Sequence, residues 1–303
     1  MVKKGRTHGN GLSDCVFTLA VIIILTFSTL IVIFPIIHVL SASFSSLDGI
    51  ISGVYFWPKG LSLEGYNAIF KHSTIMRGYL NTIIYVVIGA TLNTVLTLFA
   101  SYPLSRKKLA GRNIIMVFFT ITMIFSGGLI PTYIVTLNLK LVDTMWALIL
   151  VDAISVWTLI VACTFFKTTI PEDLYDAASI DGCNDIIVFT NIVIPLSKAI
   201  IAVCLLTYSI SYWNSYFNAV VYLHSETKYP LQLILRNILL ASQMDFNVLS
   251  TINIDVKDTH RLMMMQFLLK YSCIVVSSAP ILCLYPFLQK YFVKGVMIGS
   301  IKG

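Results

Sequence analysis

The amino-acid sequence predicts an all-α membrane protein with six transmembrane helices and both termini in the cytoplasm. Of its 303 residues, 57% are hydrophobic and only 12% are charged, a balance that does not suit a soluble fold of this length. Apolar runs long enough to cross about 30 Å of hydrocarbon recur along the chain. We therefore expect a multi-pass protein of the cell membrane, interrupted by one acidic stretch at residues 171–199.

The first predicted span covers residues 15–37 and follows a short basic tail. Its apolar core is longer than the roughly 7–15 residues of a signal peptide, so we expect it to be retained in the membrane. Five further apolar runs predict the remaining spans: 80–104, 114–139, 144–166, 199–223 and 271–289. In the third span, Gly127, Gly128 and Pro131 predict a break or a kink.

The orientation follows from the turn between the second and third spans. This turn carries four positive charges: Arg106, Lys107, Lys108 and Arg112. Because short cytoplasmic loops are rich in lysine and arginine, we expect the turn and both chain ends in the cytoplasm. The longer loops 41–79 and 224–270 then lie outside the cell, and the acidic stretch 171–199 lies inside.

This topology divides the chain into three regions. Residues 1–78 hold the tail, the first span and an outer loop, residues 79–292 hold the other five spans and the acidic stretch, and residues 293–303 form a cytoplasmic tail. The net charge is +7, and many of the basic residues cluster at the ends of apolar spans. This distribution is typical of a topology signal in a chain that contacts membrane lipids, and it argues against a nucleic-acid partner. The six cysteines form no C-x-x-C pair, so we expect no metal site.

The acidic stretch predicts a helix, a turn and a second short helix. Thr169, Pro171 and Glu172 follow the pattern of a capping box with an early proline. Spacings of three and four residues place four side chains on one face of the first helix: Leu174, Ala177, Ala178 and Asp181. Gly182 stands where a helix ends in a left-handed residue, and Pro195 is expected to end the second helix.

The acidic character of this stretch indicates what it contacts. A helix that lies on a membrane surface usually carries lysine or arginine toward anionic headgroups, whereas the carboxylates of this stretch would be repelled. An amphipathic connector on the membrane surface is the structural alternative. The charge fits a basic protein surface better.

The run DAASIDGCNDIIVFTNIVIP resembles the EAA signature of the permease subunits of binding-protein-dependent ABC importers, in the register of their carbohydrate branch. The matching positions are Asp176, Ala177, Ala178, Asp181, Gly182, Phe189 and Pro195. Asp176 replaces the usual glutamate and Cys183 replaces an alanine. The segment FSGGLIPTY at 125–133 and the C-terminal residues 285–303 resemble the same branch, and most closely its oligosaccharide and polysaccharide permeases.

The resemblance implies a permease subunit that imports oligosaccharides or related glycans and is not an enzyme. The acidic stretch would be a cytoplasmic coupling segment that docks in a cleft of an ABC ATPase dimer, with Asp176 paired to a basic residue there. Gly182 would allow the turn that directs the helix, although an ordinary helix end is the structural alternative. The chain has no phosphate-binding P-loop, so we expect no cofactor, the ATP being used by the partner ATPase.

The resemblance also implies two other partners, a second permease that completes a heterodimeric pore and an extracellular or periplasmic solute-binding protein. A candidate substrate pathway combines Asp152, the charged residue well inside spans two to six, with a polar and aromatic group on the fifth span. That group is Tyr208, Tyr212, Trp213, Asn214 and Tyr216, and its three tyrosines recur every fourth residue, which predicts one stripe along a helix. Aromatic faces and hydroxyls suit sugar rings. The alternative for Asp152 is a hydrogen-bonded contact with a neighbouring helix or with the partner permease. The alternative for the fifth span is packing at the subunit interface together with an interfacial aromatic belt.

Other classes of transporter stay open. An ABC permease for another solute would share the acidic signature, and only the C-terminal resemblance argues against it. A stand-alone secondary transporter would have ionisable relay residues or internal symmetry, which the chain does not evidently have. A membrane scaffold would have no use for an acidic coupling segment in this register.

Overall fold

A computed structural model describes residues 12–249 and 268–283 of the chain. Within these ranges the regular structure is helical, with one isolated bridge between Ser45 and Leu61. The prediction of an all-α protein is therefore confirmed for the described residues. These residues form two compact units, one of residues 12–71 with 242–249 and 268–276, the other of residues 72–241 with 277–283.

The first unit begins with three helices: α1 (Leu12–Ser43), α2 (Leu47–Ile51) and α3 (Glu64–Lys71). The side chain of Ser46 starts α2 by accepting a hydrogen bond from the Gly49 amide at 3.2 Å. The hydroxyls of Ser43 and Tyr66 share a hydrogen bond of 2.8 Å, which fixes the end of α1 to α3.

The second unit contains the helices that follow: α4 (Ser73–Ser105), α5 (Arg112–Ile124), α6 (Leu129–Asn138), α7 (Met145–Leu150), α8 (Val156–Thr169), α9 (Glu172–Ile180), α10 (Asp185–Val188), α11 (Ile194–Leu196), α12 (Lys198–Trp213) and α13 (Phe217–Tyr222). A π-helical turn, Phe189–Val193, joins α10 to α11, and a 3-10 turn, Glu226–Lys228, follows α13. The remaining described helices are α14 (Leu231–Leu249) and α15 (Leu268–Cys283).

The core of the second unit forms where α4 packs along α8 and α12. Its buried side chains from these three helices include Ala90, Leu98, Ala162, Phe166, Ile200 and Cys204. Gly89 allows α4 and α12 to approach closely, because a Cβ atom there would lie 2.6 Å from the ring of Tyr212. Helix α4 is therefore the central element of this unit.

Two described helices are long and apolar enough to cross a bilayer, α1 within Asp14–Ser43 and α4 over Ser73–Ser105. They contain the predicted spans 15–37 and 80–104. Two bent pairs would pass the same test if each counted as one span: Arg112–Ile124 with Leu129–Asn138, bent by 113°, and Asp185–Leu196 with Lys198–Trp213, bent by 82°. The described residues thus support two to four spans by length and composition, and the six-span topology stays a prediction.

The bend between α5 and α6 confirms the predicted break in the third span. It lies at residues 125–128, which include Gly127 and Gly128, whereas Pro131 falls in the first turn of α6. The predicted last span, 271–289, is helical as far as Cys283 in α15. Its remainder and the tail 293–303 lie outside the described residues.

The predicted fourth span, 144–166, is not a single helix. Helix α7 ends at Leu150 and α8 begins at Val156, and between them Asp152 has a left-handed backbone with φ of +61°. A residue in that conformation cannot continue a right-handed helix. Ser155 then starts α8 by accepting a hydrogen bond from the Thr158 amide at 3.4 Å.

The predicted fifth span, 199–223, is also interrupted. Helix α12 ends at Trp213, and the side chain of Asn214 donates a hydrogen bond to the Ile210 carbonyl at 3.0 Å. An asparagine that bonds its own backbone offers the chain an alternative to the helix. The predicted stripe with a period of four residues therefore holds for Tyr208 and Tyr212 but not for Tyr216, which lies beyond the helix end.

Asp143, in the loop before α7, holds the loop that follows α13. Its carboxylate lies 2.8 Å from Lys228 Nζ and accepts hydrogen bonds from the Ser225 hydroxyl at 2.6 Å and from the amides of Ser225 and His224 at 2.9 and 3.0 Å. The bonds from Lys228 and Ser225, the largest causes, hold the pKa of the Asp143 carboxyl far below its usual range. Both loops lie outside the predicted spans.

We expect Asp143→Ala to lower the free energy of unfolding by about 2 kcal/mol, because charge-assisted hydrogen bonds to two backbone amides and two side chains are lost. Since the carboxyl pKa is depressed in the folded state, its stabilisation is present above the unfolded pKa of about 3.9 and is lost as the pH falls through the folded value. Thermal unfolding of the detergent-purified chain at neutral pH measures this change. Asp173→Ala, which removes an exposed charge from the first turn of α9 and should cost less than about 1 kcal/mol, is the control, and equal unfolding of both variants would contradict the role of Asp143.

Candidate functional site

The acidic stretch forms the predicted helix, turn and second helix, but its start differs from the prediction. Helix α9 begins at Glu172 after Pro171, and no side chain caps it. The predicted capping box is wrong, because Thr169 belongs to the end of α8 and its Oγ1 atom is buried with no partner among the described residues. Glu172 and Asp173 instead place negative charge in the first turn, where it stabilises the helix by interacting with the positive end of the helix dipole.

The end of α9 is fixed by a Schellman motif at Gly182. The Gly182 amide donates to the Ser179 carbonyl at 3.2 Å, and the Cys183 amide donates to the Ala178 carbonyl at 2.9 Å. Gly182 has φ of +73°, a left-handed conformation that glycine adopts at little cost. A Cβ atom at Gly182 would meet no atom within 4 Å, so the backbone conformation, and not a lack of space, favours glycine at this position.

The second half of the stretch leads from this turn into α12. The side chain of Asn184 starts α10 by accepting a hydrogen bond from the Ile187 amide at 2.9 Å. Phe189, which follows α10, is 4% exposed and belongs to the core of the unit. Pro195 lies in α11, which ends at Leu196 before the 82° bend into α12.

Helix α9 has an inner and an outer side. Tyr175 and Ala178 are buried against the rest of the unit. The exposed side chains of the stretch include Leu174, Ala177, Ile180, Asp181 and Ile186. The predicted common face is therefore divided, with Ala178 turned inward, and we call the exposed set the outer face of the acidic stretch.

The C-terminal end of α4 packs against the inner side of α9. The guanidinium carbon of Arg106 lies 3.4 Å from the ring centroid of Tyr175, a cation–π contact. Burial raises the pKa of the Tyr175 hydroxyl, and the Arg106 charge offsets this in part. Tyr102 of α4 packs its ring 6.4 Å from Tyr175 and 4.9 Å from Phe189, centroid to centroid. Helix α4 therefore contacts both halves of the acidic stretch.

Two ion pairs join the basic turn after α4 to the same helix. Lys107 Nζ lies 3.1 Å from Glu172 Oε2, and Lys108 Nζ lies 3.6 Å from Asp176 Oδ1. All four side chains are more than half exposed, so each pair contributes at most about 1 kcal/mol. The structure thus pairs Asp176 within the chain, and the predicted pairing of Asp176 with the ATPase stays a prediction.

A cavity of about 600 Å³ lies in the second unit beside α8, α12 and the bend before α8. Five of the six predicted pathway residues line it: Asp152, Tyr208, Tyr212, Asn214 and Tyr216. The sixth, Trp213, is 6% exposed and donates its indole hydrogen to the Ser277 carbonyl at 2.9 Å. The cavity therefore brings together residues that the interrupted spans separate along the chain.

The hydroxyls of Tyr208 and Tyr212 are engaged by the protein itself. Tyr208 shares a hydrogen bond of 2.6 Å with Thr97 and accepts another from the Ser155 amide at 3.1 Å. The side-chain amide of Asn93 donates to the Tyr212 hydroxyl at 2.6 Å. Both tyrosines are buried, so they stabilise the cavity wall.

The lining also contains residues that were not predicted, among them Asn93, Trp157 and Asn218. Trp157, at the start of α8, is 64% exposed. Asn93 is buried in α4, and its Oδ1 atom has no hydrogen-bond partner in the described part of the chain. An asparagine in the middle of an uncharged apolar span was the sequence signal that could have identified Asn93, because buried amides need partners.

Known proteins resemble this chain over nearly its full length, although no family model matches it. The polygalacturonan/rhamnogalacturonan transport system permease protein YtcP of Bacillus subtilis is 39% identical over 278 residues, which cover 90% of this chain and 94% of that protein. Protein LplC of the same organism is 37% identical over 274 residues, 90% of each chain. The arabinooligosaccharides transport system permease protein AraQ of B. subtilis is 27% identical over 301 residues, 95% of this chain and 97% of that protein.

A solved structure has the same fold. A chain from the crystal structure of a bacterial ABC transporter involved in the import of the acidic polysaccharide alginate matches with a TM-score of 0.82 and 28% identity. The match covers 94% of this chain and 100% of that chain. Together with the near-complete coverage of the permease relatives, it confirms the resemblance indicated by the acidic stretch. The chain belongs to the permease subunits of ABC importers for oligosaccharides and polysaccharides.

Proposed function

We propose that the chain is one half of a heterodimeric membrane pore that imports oligosaccharides or related glycans. The other half is a second permease, an ABC ATPase dimer supplies the energy, and an extracellular or periplasmic binding protein delivers the glycan. In this assembly the chain crosses the membrane six times with both termini in the cytoplasm. Relatives named for polygalacturonan, rhamnogalacturonan and arabinooligosaccharides support a glycan as cargo.

The outer face of the acidic stretch carries the proposal that an ATPase docks there. Ile180 is 87% exposed and Ile186 is 69% exposed, although both are aliphatic. Each has an exposed carboxylate beside it in sequence, Asp181 and Asp185, and exposed aliphatic side chains with charged neighbours are typical of a surface that binds another protein. The surrounding negative charge favours a partner with a basic cleft, because complementary charge guides association.

Helix α4 supplies a physical connection between this face and the cavity. At its C-terminal end, Tyr102 and the following residue Arg106 contact the inner side of the acidic stretch. Farther along the same helix, Asn93 and Thr97 bond the tyrosines of the cavity wall. We therefore expect movement of α9 on the ATPase to shift α4 and change the cavity.

The docking proposal is tested by Ile180→Asp. A charge buried without a partner in an interface costs several kcal/mol, so we expect recovery of the ATPase with the tagged permease to fall by at least about tenfold. Uptake of a labelled oligosaccharide should fall with it, while the amount of permease in the membrane stays unchanged. The measurement is co-purification in detergent, followed by uptake in cells.

Leu61→Asp is the matched control, since Leu61 is 81% exposed and lies in the predicted outer loop. This variant should recover the ATPase as the unmodified chain does. Normal ATPase recovery and normal uptake with Ile180→Asp would show that the outer face of the acidic stretch is not the docking surface.

A further inference from the structure

Another cavity of the second unit, of about 510 Å³, lies beside the N-terminal end of α9. Four parts of the chain enclose it: the end of α4 with the turn that follows, the start of α5, the end of α8 and the first turn of α9. Its described lining contains the cations Arg106, Lys107, Arg112 and Lys167 and the single carboxylate Glu172. We call it the basic cavity, since its described lining has a net charge of +3.

Most of the positive charge in the basic cavity is not neutralised by the protein. Lys107 pairs with Glu172 at 3.1 Å. The other three cations, Arg106, Arg112 and Lys167, have no carboxylate of the described residues within 4 Å. Like charges that share a cavity repel one another, and the protein walls screen this repulsion less than water does. A bound anion would remove the repulsion.

The basic residues come from helices that are separate along the chain. Arg106 follows α4, Arg112 begins α5 and Lys167 lies in the last turn of α8. Positive charge at the predicted cytoplasmic ends of spans is by itself a topology signal. That signal explains the sign of these residues, but it does not require them to line one cavity. Their convergence indicates a site for an anion.

The charge and the size of the basic cavity favour a phosphate group. Guanidinium groups bind phosphate oxygens with paired N–H donors, and lysine adds a point charge. A phosphate monoester carries a charge of about −1.5 to −2 near neutral pH, whereas a side-chain carboxylate of a partner protein carries a single charge. The volume falls within the usual range for small-molecule sites. Basic pockets between helices at the cytoplasmic side of a membrane also bind lipid headgroups.

We propose that the basic cavity binds the phosphate group of an anionic phospholipid or of a soluble cytoplasmic compound. The phosphate neutralises the unpaired cations and joins the ends of α5 and α8 to that of α4. Helix α9 is already attached there, because Arg106 packs on the ring of Tyr175 and Lys107 pairs with Glu172. The bound anion therefore holds α9 at the ends of the membrane helices. Neither a glycan nor an ATPase is needed for this binding.

The site is tested with the full-length permease in nanodiscs, without the ATPase and its nucleotide sites. In the first arm the lipid is phosphatidylcholine, and equilibrium dialysis measures the binding of glycerol 1-phosphate. In the second arm half of the lipid is phosphatidylglycerol, and native mass spectrometry measures how far the permease retains it in preference to phosphatidylcholine. Binding in the first arm identifies a soluble compound as ligand, and binding in the second arm alone identifies a lipid headgroup.

The double variant Arg112→Gln with Lys167→Gln removes two unpaired cations and leaves both contacts with α9 in place. In the arm in which the unmodified permease binds, we expect this variant to bind at least about tenfold more weakly. Arg77→Gln with Lys198→Gln is the matched control, because it removes one arginine and one lysine at exposed positions outside the lining. The control should bind as the unmodified permease does.

A second double variant, Arg112→Lys with Lys167→Arg, keeps the charge and should keep binding within about threefold, which separates loss of charge from loss of folding. No binding in either arm would overturn the proposal. So would unchanged binding in the neutral double variant, an equal loss in the control, or an equal loss when the charge is kept. If the neutral double variant binds phosphate normally but recovers less ATPase, the cavity receives an acidic surface of that partner and the proposal is wrong.

Discussion

Gly182→Pro is expected to reduce glycan uptake by at least about tenfold while the permease remains folded in the membrane. Proline fixes φ near −65°, whereas Gly182 has φ of +73°. Proline also lacks the N–H group that donates to the Ser179 carbonyl. Both bonds of the Schellman motif are then lost. The last turn of α9 unwinds, and Ile180 is no longer held in its place at the surface. The turn is exposed, so the loss stays local.

Gly182→Asn is the matched control, because asparagine tolerates a left-handed backbone and keeps the N–H group. The open space around Gly182 accepts its side chain. Initial uptake rates of an oligosaccharide that the unmodified importer transports should be divided by the permease level in the membrane. If Gly182→Pro assembles with the ATPase and transports at the normal rate, the coupling role of this segment is wrong.

The acidic stretch could be predicted from the sequence because near neighbours determine its structure. At the end of α9 the Gly182 amide bonds the carbonyl three positions earlier and the Cys183 amide bonds the carbonyl five positions earlier. Asn184 caps the next helix through an amide three positions later. The outward side of α9 could not be predicted in the same way. Ala178 lies four residues after Leu174 but is buried, because Tyr175 on the same side of α9 packs on Arg106, which follows α4 and is distant in sequence.

Hydropathy located the apolar runs but not the ends of their helices. The left-handed backbone of Asp152 and the side-chain bond of Asn214 interrupt two runs that are apolar on both sides of each break. A single charge in a continuous helix would be costly in a bilayer. The structure removes that difficulty, because Asp152 lies in a bend beside a cavity.

Which residues line the cavity also depends on tertiary contacts. Tyr208 and Tyr212 could be predicted from their shared spacing on one helix, but Asn93 joins them from α4 and Trp157 from α8. Trp213, adjacent to Tyr212 in sequence, points to a different partner, the Ser277 carbonyl. The residue types therefore predicted the chemistry of the site better than they predicted which residues line it.

Gly89→Ala is expected to lower the melting temperature of the purified permease by roughly 5 °C, because overpacking a well-filled core costs about 1–3 kcal/mol. The added methyl group would lie 2.6 Å from two ring carbons of Tyr212. That ring cannot move without cost, since its hydroxyl accepts a hydrogen bond from Asn93 at 2.6 Å and donates one to the Ile149 carbonyl at 3.3 Å. Thermal unfolding in detergent, followed by size-exclusion chromatography, measures the change.

The sign of this effect makes the test decisive. In a helix, alanine is more favourable than glycine by about 1 kcal/mol, so Gly89→Ala would stabilise α4 if the ring contact did not exist. Gly127→Ala, which places its methyl group in open space, is the control and should leave the melting temperature near that of the unmodified chain. Adding Gly89→Ala to Tyr212→Ala should cost nothing further, because the clashing ring is absent. A melting temperature for Gly89→Ala at or above that of the unmodified chain would mean that α4 and α12 do not approach as closely as described.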